Sequence, residues 1–455
     1  MALDILRLDA RQLLRDRLAW AVLALGLLCS LAAAAIGSAW IDRLEQESAA
    51  FLASAEENAD AFREAMVKTA EDPEAAAALP ARLTRPIAFP TPRLADFSIG
   101  RSDIEPTTAT LRMGARTDTL FSRYQMEHAE RLARGRLDLS FVAIVLAPLL
   151  LIALGYGVYA SDREQGTARL ILAQAGAPLR LIAARSFTRL ALVAAPLLIA
   201  GAVLLLTGPQ IEGRLAAGLL WLAAALLGLL FWWAVILLVN SLRITAESAA
   251  FTLVGLWALL VFVAPAAINA AAQAAYPPPS RLAQIAAGRA AGVAANAAYE
   301  NDHPEMGVTA PEKVRESLAR SYRIGLTVER QMLPGILAFE RQLAGQQAVV
   351  GGAQLVSPPM SLAGALSSIA GVDAGAYDRF RVGARESLAG FKALLAGPVE
   401  QGRPLDAALE RSFAAFLPTR SPTGFPLELL WTAFLTAAIG GLAVTRLRRA
   451  GPLLD

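Results

Sequence analysis

The chain is poor in the residues that most often carry chemistry or cross-links, with one cysteine, two histidines and three lysines among 455 residues. With Cys29 alone, no disulfide can form within the chain, so every region must fold without one. His128 and His303 lie far apart in the sequence, which argues against a His/Cys metal site. No Gly-Lys pair is present, although a phosphate-binding loop ends in Gly-Lys-Ser/Thr. The sequence therefore predicts no metal site, no cofactor in this chain and no ATP hydrolysis by that route.

Charged residues are also scarce, at 18% of the chain against 55% hydrophobic residues, and the mean hydropathy is +0.46. A soluble protein rarely has so much apolar content because its surface must be wetted. The charges cluster between apolar blocks, and no Lys/Arg run of the kind that follows nucleic-acid phosphates is present. The composition thus indicates a membrane protein and predicts no nucleic-acid partner.

Six apolar runs are long enough to cross a bilayer as helices, which takes about 20 residues. They cover residues 18–40, 139–160, 190–207, 215–239, 249–275 and 425–444. Six crossings put both termini on one side. Arginine is concentrated in the N-terminal segment, in the connection after the second run and in the C-terminal tail, so the positive-inside rule puts these parts in the cytoplasm. The predicted fold class is all-α: a polytopic membrane protein with six transmembrane helices, cytoplasmic termini and a mostly helical periplasmic body.

These runs divide the chain into five parts. Residues 1–40 contain the first span, preceded by a segment in which leucine and arginine interleave; we interpret it as a helix in the membrane interface, with a cytosolic lead-in as the alternative. Residues 139–275 contain spans two to five, and residues 425–455 contain the sixth span and a cytoplasmic tail. The remaining parts, 41–138 and 276–424, are periplasmic loops, each large enough for a small domain.

Apolar residues recur at helical spacing in both periplasmic loops, and the alternation typical of strands is scarce. The first loop begins with a helical pattern, continues with a proline-rich stretch and ends with a second helical pattern over 117–136. The second loop has helical patterns over 281–299, 311–333, 337–347 and 376–395. Since neither loop contains cysteine, stability must come from helix packing, and we expect the two loops to form one mostly helical body.

Residues 342–372 of the second loop contain no charged residue. Residues 356–371 could form a seventh span, but that would move the arginine-rich tail to the periplasmic side, and serine, glycine and paired prolines lower the hydropathy. We interpret this stretch as an interfacial or re-entrant element at the outer leaflet, where it would form an exit gate. The residues of this predicted gate are Ser357, Pro358, Pro359, Met360 and Leu362.

A short charged segment, residues 162–178, joins the second and third runs. Thr167 can cap a short helix over 168–174, and two acids precede the positive end of that helix. Gly176 and Pro178 would end the helix and lead into the third span. A rigid helix at a junction between spans can transmit a push without bending, and its apolar residues offer a contact to a groove in a partner. An ordinary polar loop between two spans is the alternative.

The segment resembles the cytoplasmic coupling loop of type-2 ABC exporter permeases, with Glu-x-Gly-Thr, a short apolar helix, then Gly and Pro. The corresponding residues are Asp162, Glu164, Gly166, Thr167, Arg169, Leu170, Ile171, Leu172, Gln174 and Pro178. The two enlarged loops, including the stretch 355–380, resemble a subgroup of this family. The resemblance implies that separate ABC ATPase subunits bind ATP and Mg and push on the coupling loop, residues 161–186. It also implies a membrane dimer with a second copy of the chain or with a sister permease.

The sequence therefore favours the permease subunit of an ATP-driven exporter in a bacterial inner membrane. The apolar membrane part suggests contact with membrane lipid and an amphipathic or lipid-like cargo. A second hypothesis is a mechanical transmitter, in which the ATPase cycle moves the large outer loops to act on a periplasmic partner and nothing is pumped. A continuous cavity between the spans would favour export, whereas a solid bundle would favour transmission.

Overall fold

The computed structural model describes residues 9–13, 15–121, 137–158, 160–164, 166, 178–242, 244–303, 314–401, 405 and 425–449. In chain order the α-helices are α1 (Arg17–Lys68), α2 (Pro73–Ala77), α3 (Leu79–Arg82), α4 (Leu139–Phe141), α5 (Ala147–Gly155), α6 (Ala160–Glu164), α7 (Pro178–Thr207), α8 (Arg214–Asn240), α9 (Ala246–Ala258), α10 (Ala264–Ala275), α11 (Arg281–Asp302), α12 (Val314–Ala353), α13 (Pro358–Ala370), α14 (Ala374–Glu400) and α15 (Glu428–Arg449). π-helical turns Val142–Leu146 and Leu259–Val263 join α4 to α5 and α9 to α10. The described residues are mostly helical, which confirms the all-α fold class.

Five helices are long and apolar enough to cross a membrane. They are Arg17–Lys68, Ile182–Thr207, Arg214–Asn240, Ala246–Ala275 and Glu428–Arg448. A further apolar helix, Leu139–Gly155, is shorter. We call these six helices spans 1 to 6 in chain order. Their positions match the six apolar runs of the sequence and confirm a polytopic membrane protein.

Span 2 is short because its helix ends at Gly155 rather than at residue 160. At about 1.5 Å per residue it is roughly 26 Å long, near the lower limit for crossing a bilayer. Asn240 Nδ2, at the end of span 4, donates a hydrogen bond to the carbonyl of Gly155 at 3.1 Å. The last carbonyls of a helix have no hydrogen-bond donor within that helix, and Asn240 supplies one for Gly155. The chain can therefore turn between Gly155 and the start of α6.

Span 1 continues far beyond the length that a membrane needs. Its helix α1 has 52 residues, and begins after Asp16, whose Oδ1 accepts a hydrogen bond from the amide of Leu18 at 2.9 Å. A helix of this length extends about 78 Å, whereas about 20 residues cross a bilayer. The boundary that we predicted between residues 40 and 41 lies inside this helix, so the first span and the start of the first loop form one rigid element.

Span 4 lies at the centre of the membrane bundle. About two thirds of its most apolar stretch is buried (67%), compared with 6% for span 5. Trp221 of span 4 is fully buried, and its ring meets Phe97 edge-on with 5.2 Å between the ring centroids. The same core includes Leu362 and Leu366 of α13. Because span 5 is barely covered within this chain, most of its apolar surface is left for lipid or for another chain.

The two long loops share one hydrophobic core, as expected from the sequence. Phe89 of the first loop packs against Tyr377 and Phe380 of the second, with 4.7 and 5.4 Å between ring centroids. Tyr322 donates a hydrogen bond to the carbonyl of Lys392 at 2.8 Å, which joins α12 to α14. We call this common structure the loop body. It is held together by contacts between loops that are far apart in sequence.

A two-stranded antiparallel sheet in the first loop was not predicted. Strands β1 (Thr84–Ala88) and β2 (Thr108–Arg112) pair with Pro86 opposite Thr110. Leu111 of β2 is fully buried in the core of the loop body. The sequence signal is weak because β1 lies in the proline-rich stretch, and proline is tolerated in a sheet at an edge strand. In a sheet of two strands, both strands are edges.

Candidate coupling site and outer gate

We call the end of the bundle that carries the N-terminal segment and the end of α15 the inner end, and the opposite end the outer end. Four of the predicted coupling residues are described, and they lie at the inner end. Thr167, Arg169, Leu170, Ile171, Leu172 and Gln174 lie outside the described residues. Asp162 and Glu164 belong to α6, Gly166 follows it with φ +71°, and Pro178 is the first residue of α7. The structure therefore describes both flanks of the predicted coupling helix.

The flank before the coupling helix is tied to the start of span 5. Glu164 Oε1 accepts a hydrogen bond from the amide of Ala246 at 2.8 Å, so this carboxylate lies at the positive end of α9. Arg163 Nη1 donates to the carbonyl of Leu242 at 3.3 Å, and Nη2 donates to the carbonyl of Ile244. The sequence analysis placed Glu164 just ahead of the coupling helix, at the positive end of that helix. These contacts attach α6 to the connection between spans 4 and 5.

The N-terminal segment is attached to span 3 through Asp9, which is buried. Arg189 Nη1 lies 3.2 Å from Asp9 Oδ2, Thr188 donates to the same oxygen, and Arg185 Nε lies 3.8 Å from Oδ1. Arg189 Nε also donates to the carbonyl of Leu154 at the end of span 2, at 2.8 Å. A carboxylate is costly to bury unless it is paired and hydrogen-bonded, and this one is. The N-terminal segment, span 2 and span 3 are thus joined at one point.

An apolar cluster completes the inner end. Its buried members are Val158, Ile182, Leu237, Ala443 and Leu447. They come from the turn after span 2, from α7, from span 4 and from the last turns of span 6. Together with the polar contacts, this cluster connects five of the six spans to the flanks of the coupling segment. A displacement of that segment would therefore be passed to most of the bundle.

The predicted gate residues lie at the outer end, at the start of α13. Ser357 is fully buried and caps α13, with Met360 N 3.4 Å from its Oγ. The Ser357 hydroxyl donates to the carbonyl of Leu260, at 2.8 Å, in the π-helical turn of span 5. Leu362 packs against span 4 at Gly228, where a Cβ would lie 2.3 Å from Leu362 Cδ2. The gate residues are thus held between spans 4 and 5.

Helix α13 is embedded at the outer end of the bundle without crossing it. Pro358 and Pro359 occupy its first turn and are buried. Trp431 of span 6 donates to the carbonyl of Leu355 at 2.7 Å, just before α13. With 13 residues, α13 extends only about 20 Å, less than the hydrocarbon thickness of a bilayer. Met360, half-buried, borders a cavity of about 540 Å³ that is also lined by Glu428.

A buried ion pair, which the sequence analysis missed, attaches the first loop to the outer end of span 4. Arg214 donates to Asp96 Oδ1 at 3.1 Å and to Oδ2 at 2.5 Å, and both side chains are almost completely buried. Arg214 also donates to the carbonyls of Arg93, at 2.5 Å, and Leu204, at 2.8 Å. Burial raises the pKa of Asp96, while the Arg214 guanidinium lowers it. We call residues 93–105 the outer segment.

The outer segment makes further buried contacts with the spans. Trp40 Nε1 donates to Ser102 Oγ at 2.7 Å, and Trp221 Nε1 donates to Ser98 Oγ at 3.0 Å. At Gly37 of span 1, a Cβ would lie only 1.9 Å from the carbonyl oxygen of Asp96, so only glycine permits this approach. The first loop is therefore fixed to spans 1 and 4. One sequence signal for this attachment was available. Among residues 208–214, which connect spans 3 and 4 at the outer end, Arg214 is the only arginine.

Asp138 links the outer segment to the start of span 2. Its Oδ2 accepts from the amide of Ile99 at 2.9 Å, and its Oδ1 accepts from the amide of Phe141 at 2.7 Å. Burial raises the pKa of Asp138, and these amide donors oppose the shift. Spans 1, 2 and 4 thus all meet the outer segment, which connects the membrane bundle to the loop body.

The contacts at the two ends of the bundle belong to one connected arrangement. In the part of the chain that the structure describes, no group of three or more His, Cys, Asp or Glu side chains could hold a metal ion. The contacts described above link the inner connections, the spans and the loop body in one continuous path.

Comparison with known families supports a transport role. A family model described as "ABC-2 family transporter protein" matches residues 3–321, and one described as "Domain of unknown function (DUF3526)" matches residues 283–417. No curated protein and no solved structure matches the chain. The first match covers most of the chain, from the N-terminal segment through span 5 to the first residues of α12. Membership of this family implies an ABC ATPase partner. The chain belongs to the ABC-2 family of transporter proteins and is a multi-pass membrane permease subunit of an ABC transporter.

Proposed function

We propose that the chain is the membrane subunit of an ATP-driven exporter in a bacterial inner membrane. Separate ATPase subunits, which bind ATP and Mg, would push on residues 161–186 from the cytoplasm. The chain would pair with a second copy or with a sister permease, which would cover the exposed face of span 5. The cargo would be amphipathic or lipid-like, and would leave past the gate at the start of α13.

The observation that carries this proposal is the contact of α6 with the start of span 5. Glu164 accepts the Ala246 amide at 2.8 Å, and Arg163 holds the carbonyl of Leu242. A push on the coupling segment would therefore reach span 5 directly. Span 5 in turn holds Ser357 through the carbonyl of Leu260. This gives a short mechanical route from the proposed ATPase contact to the proposed gate.

The change Glu164→Ala tests this route in the complex of the permease with its ATPase, reconstituted in lipid nanodiscs. Loss of one hydrogen bond to a helix end costs about 1 kcal/mol locally, so the chain should still fold and bind its ATPase. We expect stimulation of ATP hydrolysis by cargo-containing lipid extract to fall. Glu247→Ala, which removes an exposed acid from the same first turn of α9, is the matched control. Equal stimulation in both variants would remove the support for the route.

A mechanical transmitter remains the second candidate because the bundle is densely packed. The space between span 2, span 4, α13 and span 6, bordered by Gly228 and Thr432, is only about 10 Å³, which is about the volume that one water needs. In addition, α1 runs without a break from the membrane into the loop body. In this alternative, the ATPase cycle moves the loop body against a periplasmic partner. ATP-dependent movement of the loop body without release of any lipid-like molecule from the nanodisc would favour it.

A further inference from the structure

The loop body contains a cavity of about 970 Å³ that neither the coupling route nor the gate uses. Helices α11, α12 and α14 surround it, together with the residues that follow β2. Its volume is at the upper end of the roughly 300–1,000 Å³ that is typical of small-molecule sites. The cavity is therefore large enough for a ligand, and its lining indicates which kind.

One wall of the cavity is apolar. Ile336, Phe339 and Leu343 of α12 line it at spacings of three and four, so they form one face of that helix. Ile285 of α11 and Val382 of α14 also line it, and they are 55% and 43% exposed. Large apolar side chains that remain exposed to water around a concave space gain free energy when an apolar ligand covers them. An alkyl chain fits this wall.

Among the described residues of the lining, arginines outnumber acids by one. Four arginines and three acids line the cavity, and the paired groups are Arg116 with Asp118, Arg381 with Asp378, and Arg385 with Glu340. Within the described part of the chain, Arg289 of α11 has no such acid partner. Arg289 lies four residues after Ile285, so the guanidinium and the apolar wall belong to the same face of α11. A guanidinium favours a carboxylate or a phosphate as its ligand.

We propose that this cavity binds a single-chain anionic amphiphile, a molecule with one alkyl chain and one carboxylate or phosphate group. The alkyl chain lies against Ile336, Phe339 and Leu343, and the acidic group pairs with Arg289. The meaning of this site for transport rests on the proposed export function. If the chain is an exporter, the site gives its lipid-like cargo a chemical class and a binding position in the loop body. The binding itself requires neither ATP nor the ATPase.

The test is equilibrium binding of 11-(dansylamino)undecanoic acid to the full chain in nanodiscs, with empty nanodiscs as the background. We expect saturable fluorescence above that background. Dodecanoate and dodecyl phosphate should both displace the probe if the site accepts either acid, and the stronger competitor identifies the preferred head group. Dodecyltrimethylammonium should displace it poorly, because Arg289 repels a cation.

Two substitutions separate the head-group contact from the apolar wall. Arg289→Gln should weaken binding about tenfold, the effect of losing one charge-assisted hydrogen bond at a partly exposed site. Gly292→Leu should weaken it by a similar factor because Gly292 lines the cavity, so the leucine side chain would occupy space that the ligand needs. A Cβ at Gly292 meets no other atom within 4 Å, so the helix can accept the substitution. Leucine is also a better helix former than glycine, so this variant should fold. Arg341→Gln and Gly335→Leu change exposed residues of α12 that do not line the cavity, and they are the matched controls.

Three results would overturn the proposal: no saturable signal above empty nanodiscs, equal affinity in the cavity variants and their controls, or equal displacement by cationic and anionic competitors. The proposed export function would survive any of these if Glu164→Ala still reduced stimulated ATP hydrolysis. Conversely, binding at the cavity with no effect of Glu164→Ala would support a ligand site in a protein that does not work by the proposed coupling route.

Discussion

The buried pair of Asp96 and Arg214 should be the strongest single attachment between the membrane bundle and the first loop. The change Asp96→Asn keeps the shape of the side chain but removes its charge. Arg214 would then be buried with neutral acceptors alone, the new side-chain amide oxygen and the carbonyls of Arg93 and Leu204. Removing one partner of a buried ion pair typically costs about 3–5 kcal/mol, because the remaining charge is uncompensated. We expect this loss to appear as opening of the outer segment.

A thiol at residue 95 reports that opening directly. Ala95 is fully buried in the outer segment, so a cysteine introduced there reacts only when the segment detaches. In a background with Cys29→Ala, we expect Asp96→Asn to raise the labelling rate of Ala95→Cys by roughly 150-fold to 5,000-fold, as a loss of about 3–5 kcal/mol in local stability requires. The measurement uses the intact chain in nanodiscs and a membrane-impermeant maleimide.

Two comparisons make the result specific to the ion pair. Replacing both partners, as Asp96→Leu with Arg214→Met, should restore most of the protection because no buried charge remains. The change Glu64→Ala disrupts an exposed ion pair with Lys68 and should leave labelling unchanged, since exposed pairs contribute about 0–1 kcal/mol. An unchanged labelling rate in Asp96→Asn, or a double variant as reactive as the single one, would refute the reasoning.

Three further predictions follow from the same structure. Burial raises the pKa of Asp138 in the folded protein above the value in the unfolded chain, which is near 4. The protonated carboxyl therefore stabilises the folded protein fully below about pH 4, and this stabilisation is lost as the pH rises through the folded-state pKa. The pH dependence of thermal unfolding should therefore flatten in Asp138→Asn. The change Gly37→Ala should destabilise the protein by about 1–3 kcal/mol or more, because the new Cβ would clash with the backbone of the outer segment. Gly255→Ala is the control: a Cβ there meets no atom within 4 Å, so the same unfolding assay should show little change. In whole cells, an impermeant thiol reagent should label Ala53→Cys but not Leu454→Cys; labelling of the tail would contradict the predicted topology.

The spans were predictable because each is a local property of the sequence. The fourth and fifth runs, which carry no charge, correspond to helices whose ends lie within three residues of the ends of the runs. The third run ends with its helix at Thr207, but that helix begins at Pro178, before the run. The end of span 2 was misplaced because it depends on Asn240, which is distant in sequence. The helical pattern at the start of the first loop was recognised, but its continuity with span 1 was missed. The polar half of α1 continues the helix into the loop body, where hydropathy no longer marks it.

The candidate sites were predictable only in part. The charged segment after span 2 could be recognised from its residues, but the contact of Glu164 with the start of span 5 joins residues 82 positions apart, and spacing along the chain does not reveal it. The same is true of Asp96 and Arg214, which are 118 positions apart. Buried polar pairs of this kind are decided by packing, so a single sequence shows the charges without showing their partners.

The central claim is that an ATPase acts on this chain at residues 161–186. It is tested most directly by placing a photo-crosslinking amino acid at Ile171 in cells that also produce the ATPase partner. The account predicts that the ATPase is captured from Ile171 and is not captured from Ala53 or Gln346 in the outer loops. Capture from either outer position, or no capture from Ile171 when the complex co-purifies intact, would contradict it.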